Sequence, residues 1–137
     1  MPMDELKLDA AVENLPEVTE FVTASLEEMD CPMKIVMQIE LVIEEIFMNV
    51  ASYAYAPDKG LVTVQKSFDD EPRALNLAFI DSGKPYNPLE HKDPDTSLGV
   101  EDREIGGLGI FLIKKNVDSI NYERRDGQNI LSIKKLF

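Results

Sequence analysis

The 137-residue sequence contains one cysteine, one histidine and no tryptophan. The single cysteine, Cys31, excludes an internal disulfide and a cysteine-cluster zinc site, and the single histidine, His91, excludes metal sites that need two histidines. Basic residues are also few, with 14 lysines and arginines against 26 acidic residues and a net charge of −12. Because nucleic acids and anionic membranes are bound by basic surfaces, we expect neither as a direct partner.

The sequence also lacks long apolar runs. None approaches the roughly 18 residues of a membrane-spanning helix, and no charged and apolar leader opens the chain, so we expect a soluble protein. The lone thiol favours a cytoplasmic location. An apolar content of 44% suffices for a core, and the length corresponds to a single domain, residues 1–137. Residues 1–100 hold 20 of the 26 acidic side chains, so an anion is better tolerated in the last third.

Hydrophobic periodicity predicts the order strand, helix, helix, strand, strand, loop, helix, strand, strand. The predicted elements before the midpoint are a strand at 4–9, a helix capped by Asn14 and broken at Asp30-Cys31-Pro32, and a helix from about Met33 to Tyr55. They are followed by strands at 61–68 and 74–80, a helix opened by the glycine cluster 106–109 and running to about Val117, and a hairpin of 119–124 and 129–136 about Asp126-Gly127. The fold class that follows is an α/β sandwich of the α+β type, with a mostly antiparallel mixed sheet covered on one face by helices.

Residues 81–105 show no lasting period and contain several prolines and glycines. Such a long irregular segment inside a small domain is usually a functional loop, so we predict a lid at about residues 84–105. A disordered insertion is the alternative.

Polar side chains follow one edge of the apolar stripe on the long helix. Glu45 and Asn49 are one turn apart, with Gln38 and Ser52 on the same edge. A carboxylate can act as a base, and an amide oxygen is a hard neutral ligand for Mg²⁺. A solvated polar edge without function is the alternative.

A second candidate is Asp81-Ser82-Gly83, which follows the predicted strand 74–80. An ionised carboxylate only accepts hydrogen bonds, and the exocyclic amine of adenine only donates them. Gly83 lets the backbone approach a flat ring, because it has no Cβ. An ordinary turn explains the same three residues equally simply.

The third candidate is Gly106-Gly107-Leu108-Gly109 at the start of a helix. Free N–H groups and the positive end of the dipole favour phosphate at a helix N-terminus, and glycines let it approach. The pattern is neither a Walker A loop nor the dinucleotide fingerprint. Glycines that only cap or flex a loop are the alternative.

In combination and order, these motifs resemble the N, G1 and G2 boxes of the Bergerat ATP-binding fold, the superfamily of gyrase, heat-shock chaperones, histidine kinases and mismatch-repair ATPases. The segments IEEIFMNVASYAY, IDSGKPYNP and GGLGIFLIKKNVDSINYERRDGQNIL are most similar to the bacterial anti-sigma-factor serine/threonine kinases. The resemblance covers nearly the whole chain.

The resemblance implies a role for each motif residue. Asn49 would ligate a Mg²⁺ ion that bridges the phosphates of ATP, and Glu45 would be the catalytic residue, either polarising the attacking hydroxyl or acting as its base. Asp81 would accept a hydrogen bond from the adenine amine, with Gly83 in contact with the ring. The glycine-rich segment, namely Gly106, Gly107, Leu108 and Gly109, would face the phosphates.

Two departures from the family pattern stand out. Lys84-Pro85 replaces the usual end of the G1 motif, as in other anti-sigma-like members. Family members also resemble one another in an arginine near the end of the lid, aimed at the terminal phosphate. Ile105 stands at the corresponding position here, and Arg103 is the nearest arginine.

Three functions fit these motifs. The first is an ATP-dependent serine/threonine kinase that binds a sigma factor, phosphorylates an antagonist with a STAS-type domain and, by family likeness, forms a homodimer. The second is a non-catalytic module in which nucleotide binding switches a protein partner. The third, the catalytic domain of a histidine kinase, ranks last because His91 lies among prolines in the lid, not on a dimerisation helix.

Overall fold

Helices packed on one face of an antiparallel sheet form the fold. The computed structural model describes residues 3–55, 58–90 and 107–137. The elements are β1 (Asp4–Asp9), α1 (Leu15–Glu28), α2 (Met33–Asn49), β2 (Leu61–Asp70), β3 (Arg73–Asp81), α3 (Gly107–Asn116), β4 (Ser119–Arg125) and β5 (Gln128–Leu136). This succession confirms the order predicted from periodicity, and the α+β sandwich is confirmed with it.

The sheet has the strand order β1-β2-β3-β5-β4, and each of these four pairings is antiparallel. Within the described residues the sheet is therefore antiparallel throughout, and the expectation of a mixed sheet was wrong. The pairs β2–β3 and β4–β5 are hairpins, β1 pairs with β2 across the two intervening helices, and β5 returns to pair with β3. This return places Asn129 directly opposite Asp81.

The core lies between the sheet and the helices. Side chains alternate between the two faces of β2 and β3, and the helix-facing set is buried. The fully buried large side chains include Leu26, Ile39, Ile43, Ile46, Phe47, Leu75, Leu77, Phe79, Ile110 and Ile113. Burial of each such side chain contributes roughly 1.5–3 kcal/mol, which fixes the helices on the sheet.

One charged side chain also lies on the buried face. Lys66 of β2 is 7% exposed, and its ammonium donates hydrogen bonds to the Phe21 carbonyl and, at 2.8 Å, to the Ser25 hydroxyl. The same ammonium lies 4.0 Å from the centroid of the Phe21 ring. Lys66 therefore ties β2 to α1.

The long helix runs about as far as its sequence predicts, but its geometry changes on the way. The α-helical part stops at Asn49, and a wider π-type turn, Val50–Ala54, continues it to the residue before Tyr55. The Ala54 carbonyl at this end accepts a hydrogen bond from the Lys84 N–H at 2.9 Å.

The closing hairpin turns where the sequence predicts it. Asp126 and Gly127 have φ values of +52° and +78°. Two successive positive φ values are typical of the type I′ turn that joins antiparallel strands, and they confirm this turn.

Only the first part of the predicted lid is described. It runs from Lys84 through a short 3₁₀ turn, Pro88–Glu90, and the remainder of the lid lies outside the described residues. Among the described helices, none is both long and apolar enough to cross a membrane.

Candidate functional site

A cavity of about 440 Å³ opens between the end of α2, the end of β3 and the strands β4 and β5. Its lining is mainly apolar and aromatic with a few polar groups, a composition typical of small-molecule sites. The lining residues are Ile46, Asn49, Val50, Tyr53, Ala54, Phe79, Asp81, Lys84, Pro85, Tyr86, Pro88, Tyr122, Asn129 and Leu131.

Asp81 is the buried acid of this cavity, with only 5% of its surface exposed. Its Oδ1 accepts hydrogen bonds from the Gly83 N–H and from Nδ2 of Asn129, both at 2.9 Å. The first bond confirms that Asp81 forms the turn that its sequence context suggests. No group among the described residues donates to Oδ2, so this oxygen is available to a ligand.

Asn129 is the residue that sequence reasoning missed. Its side chain bonds Asp81 and the Lys84 carbonyl, and its Oδ1 accepts from the Tyr122 hydroxyl at 2.5 Å. One sequence signal existed: Asn129 is a polar residue that alternates with the apolar Leu131 and Ile133 in the helix-facing register of β5. Its partner could not be found without the pairing of β3 with β5.

The turn after β3 is held by side chains of two other elements. The Tyr55 hydroxyl donates to the Leu61 carbonyl at 2.5 Å and accepts from the Ser82 N–H at 2.7 Å. Arg124 of β4 donates to the Gly83 carbonyl at 2.8 Å. These bonds hold Asp81 at a set position relative to the end of α2.

Gly83 is explained by packing against protein. A Cβ on Gly83 would overlap the Ala54 carbonyl, at 2.6 Å from its carbon and closer still to its oxygen. The close approach that requires glycine is therefore that of the turn to the end of α2. Contact of Gly83 with a ligand ring stays a prediction.

A second cavity of about 290 Å³ adjoins the first. It is lined by Glu45, Met48, Asn49, Ser52, Tyr53, Gly109 and Leu112. Asn49 and Tyr53 line both cavities, so they form the boundary between them. The Asn49 side chain makes no hydrogen bond within the described part of the chain, which leaves its amide oxygen available.

Glu45 lies where α2 meets the start of α3. A Cβ on Gly109 would stand 2.6 Å from Oε2 of Glu45, so the glycine leaves room for the carboxylate. Partial burial raises the pKa of Glu45 above its ordinary value, and the negative charge of Glu44 raises it further. A carboxylate with a raised pKa is a stronger proton acceptor than an ordinary one.

The structure thus brings four predicted site residues to two adjoining cavities: Glu45, Asn49, Asp81 and Gly109. Gly107 begins α3, and Leu108 follows it in the first turn. Gly106 and Arg103 lie outside the described residues. The described residues contain no group of three or more His, Cys, Asp or Glu side chains that could together hold a metal ion.

Residues 8–135 match the family model of the histidine kinase-like ATPase domain. The chain belongs to this family. The match covers nearly the whole sequence and confirms the resemblance drawn from the three motifs.

Two relatives of this ATPase domain have kinase names. The chain is 26% identical over 95 residues to the serine/threonine-protein kinase BtrW of Bordetella bronchiseptica, covering 69% of this chain and 66% of the relative. It is 23% identical over 132 residues to the serine-protein kinase RsbW of Bacillus cereus, covering 95% of this chain and 82% of the relative. The alignment with BtrW thus spans just under two thirds of that protein.

Solved structures show the same fold. The RsbU and RsbW domains of a Mycobacterium tuberculosis protein superpose with a TM-score of 0.70 at 17% identity, over 99% of this chain and 32% of that one. A blue-light activated histidine kinase of Erythrobacter litoralis superposes through its kinase domain with a TM-score of 0.59 at 16% identity, over 89% of this chain and 60% of that one. The sandwich of this ATPase domain is therefore shared by both kinds of kinase.

We expect Gly83→Ala to destabilise the ATPase domain by about 1–3 kcal/mol, the usual effect of forcing extra volume into a packed site. The neighbour to be displaced is the backbone of Ala54, which cannot move aside without breaking its bond to Lys84. Chemical denaturation measures the loss. Ser82→Ala, one residue earlier and exposed, is the matched control and should unfold like the wild type; equal stability of the Gly83 variant would contradict the contact.

We also expect Glu45→Gln to change how stability depends on pH. The pKa of Glu45 is raised in the folded state, so its ionisation opposes folding as pH rises through that pKa. Relative to wild type, Glu45→Gln should therefore gain stability at about pH 7 and lose this gain at about pH 4. Thermal melts at both pH values measure the difference, and a gain that is the same at both would contradict burial of the charged carboxylate.

Proposed function

We propose that this protein is an ATP-binding serine/threonine kinase of the anti-sigma type. The single observation that carries the proposal is the buried Asp81, with one oxygen available, in a cavity that Asn49 joins to the Glu45 carboxylate. Asp81 can accept a hydrogen bond from a nucleobase on one side, and Asn49 and Glu45 are polar groups suited to phosphates on the other. This arrangement fits a nucleoside triphosphate. The family match and the names of the relatives support the same proposal.

The larger cavity fits the adenine base. Its walls offer Ile46, Phe79, Leu131 and aromatic side chains for the flat ring. The available oxygen of Asp81 accepts a hydrogen bond from the exocyclic amine. Guanine presents a carbonyl oxygen at the equivalent position, which would leave Asp81 without a donor.

The smaller cavity fits the phosphates. Its residues come from the end of α2, the turn Val50–Ala54 and the first two turns of α3. The first N–H groups of a helix have no partner within the helix, so those of α3 are suited to bind an anion. Asn49 has an amide oxygen without a partner among the described residues, and this oxygen fits Mg²⁺, which takes few protein ligands and keeps phosphate and water oxygens. When bound, Mg²⁺ neutralises charge on the phosphates.

Glu45 is suited to accept the proton of an attacking hydroxyl. Phosphoryl transfer depends on positioning and charge neutralisation more than on covalent chemistry by the protein. Room beside Gly109 and the raised pKa leave Glu45 as a proton acceptor next to the phosphate cavity. Gly107 and Gly109 let phosphate oxygens approach the helix N-terminus, with Gly106 and Arg103 proposed to add contacts from the preceding segment.

The partners in this proposal come from the family resemblance. They are a sigma factor, which the domain sequesters, and an antagonist with a STAS-type domain, whose serine or threonine receives the phosphate. We place the protein in the cytoplasm as a homodimer of single-domain chains with a lid at about residues 84–105. The non-catalytic alternative shares the ATP site and differs only in lacking transfer.

ATP should bind more tightly than GTP, and Asp81→Asn should weaken ATP binding by more than about tenfold, or roughly 1.4 kcal/mol. The reason is that an amide at this position turns a donor toward the Asn129 amide or toward the adenine amine. Titration calorimetry with Mg²⁺ present measures both the preference of the wild type for ATP over GTP and the loss of ATP affinity in Asp81→Asn. Asp9→Asn makes the same charge change on the edge strand β1, two strands away from β3, and should bind like wild type. Equal affinities for ATP and GTP would rule out this role of Asp81.

Substitutions of Glu45 and Asn49 should affect different steps, namely phosphoryl transfer for Glu45 and ATP binding for Asn49. Asn49→Ala should weaken Mg²⁺-ATP binding, and transfer should fall with it, because the amide oxygen acts on the bound nucleotide. Glu45→Gln should keep binding and lose about 10²–10⁴-fold in transfer rate, since a base acts mainly in the transition state. The rate of wild-type transfer should also rise with pH through the raised pKa of Glu45.

Calorimetry and single-turnover phosphorylation of the cognate antagonist separate these two effects. Glu40→Gln, exposed on α2, is the matched control and should transfer normally. Wild-type transfer by Glu45→Gln would exclude a catalytic role for Glu45. If the wild type transfers phosphate to no partner that co-purifies with it, the kinase proposal is wrong and the non-catalytic binding module takes its place.

A further inference from the structure

We propose that Asn129 is a positioning residue that orients the Asp81 carboxylate, so that one defined oxygen selects the ligand. This inference rests on the proposed nucleotide site and adds a specificity-determining residue from β5 to it. Asp81 and Asn129 are directly opposite in the β3–β5 register, and both are more than nine-tenths buried.

The hydrogen bonds of Asn129 are all used within the protein. Nδ2 donates to Oδ1 of Asp81 at 2.9 Å and to the Lys84 carbonyl at 2.7 Å. Oδ1 accepts from the Tyr122 hydroxyl at 2.5 Å and from the Tyr86 N–H at 3.4 Å. An amide has two donors and two acceptor positions, so none is left for a ligand. Asn129 therefore acts through Asp81.

The orientation of the amide follows from its neighbours. A carboxylate and a carbonyl, which only accept, lie on one side of the Asn129 side chain, and the Tyr86 N–H, which only donates, lies on the other. If the Asn129 amide were flipped, its oxygen would face the Asp81 carboxylate and the Lys84 carbonyl, and its NH₂ group would face the Tyr86 N–H. Tyr122 completes the arrangement, because its hydroxyl can donate to Oδ1.

This arrangement fixes which oxygen of Asp81 meets a ligand. Two donors hold Oδ1, namely Nδ2 of Asn129 and the Gly83 N–H, so rotation of the carboxylate would break two bonds. Oδ2 remains as a single acceptor without a donor of its own. A ligand amine satisfies it, whereas a ligand carbonyl leaves both groups unpaired.

Asn129→Asp tests the proposal through its pH dependence. Two carboxylates at hydrogen-bond distance cannot both ionise without strong repulsion, so the pair retains a proton at low pH. That shared proton restores a bond to Oδ1 of Asp81, and loss of the proton at high pH removes the bond. Lys84 and Arg124 are the cations of the surrounding turn and strand, and the Tyr122 hydroxyl faces the pair from β4.

The measurement is calorimetric titration of ATP and GTP with Mg²⁺ at about pH 8 and about pH 5.5, with each variant compared with wild type at the same pH. Asn129→Asp should bind ATP at least about tenfold more weakly than wild type at the higher pH and should recover most of this loss at the lower pH. A merely structural lesion would not be reversed by acid. Asn121→Asp, on the exposed face of β4, is the matched control and should show neither effect.

Tyr122→Phe gives a second, milder test that keeps the ring and removes only the hydroxyl. It should reduce the preference for ATP over GTP several-fold, because the amide loses one of its orienting bonds. If wild type binds ATP and both variants match it at both pH values, the role of Asn129 is wrong while the nucleotide site stands. If wild type binds no adenine nucleotide, the proposed function is wrong and the role of Asn129 with it.

Discussion

The contact between the end of α2 and the turn after β3 is the constraint on which the site depends. Gly83 packs against the Ala54 carbonyl, and the same carbonyl accepts a hydrogen bond from Lys84. Apolar packing between helix and sheet is not directional, whereas this contact and the bonds of the Tyr55 hydroxyl to Leu61 and Ser82 are. This contact sets the distance between Asn49 on the helix and Asp81 on the strand, and so joins the two cavities into one site.

The same contact lies at the end of the helix, where its geometry has changed. After Asn49 the helix continues as the wider turn Val50–Ala54, and π-type turns are frequent at functional sites. The last carbonyls of a helix have no partner within it, and here that of Ala54 accepts from the turn after β3. Tyr53, in the wider turn, lines both cavities.

Local patterns in the sequence were sufficient to predict the elements and half of the site. The spacing of Glu45 and Asn49 places both on one edge of α2, and the pair Asp126-Gly127 determines its own turn. Each of these features depends on residues within a few positions of one another. The fold class follows from the same patterns, because an apolar helix stripe and alternating strands have few ways to cover each other.

The parts that could not be predicted all depend on distant pairs. Asn129 is 48 residues from Asp81, and only the β3–β5 register makes them neighbours. The reason for Gly83 also lies in another element, since its backbone meets that of Ala54. The motif residues were visible because each lies in or next to a helix or strand that its own local sequence predicts. Asn129, which we propose orients Asp81, belongs to β5, which is distant from β3 in the sequence.

The strong negative charge of the chain is compatible with an anionic ligand, because only charges close to the site act strongly on that ligand. Charges on the surface are screened beyond about 8 Å at physiological ionic strength, so most of the 26 acidic side chains act weakly on a ligand between α2 and α3. Within the site, the N-terminus of α3, Lys84 and a metal ion at Asn49 would offset the phosphate charge. A polyanion such as nucleic acid would instead extend across the acidic surface and be repelled along its length. The surface charge therefore discriminates against a long polyanion. A single small anion can still bind, because positive groups within the site offset its charge.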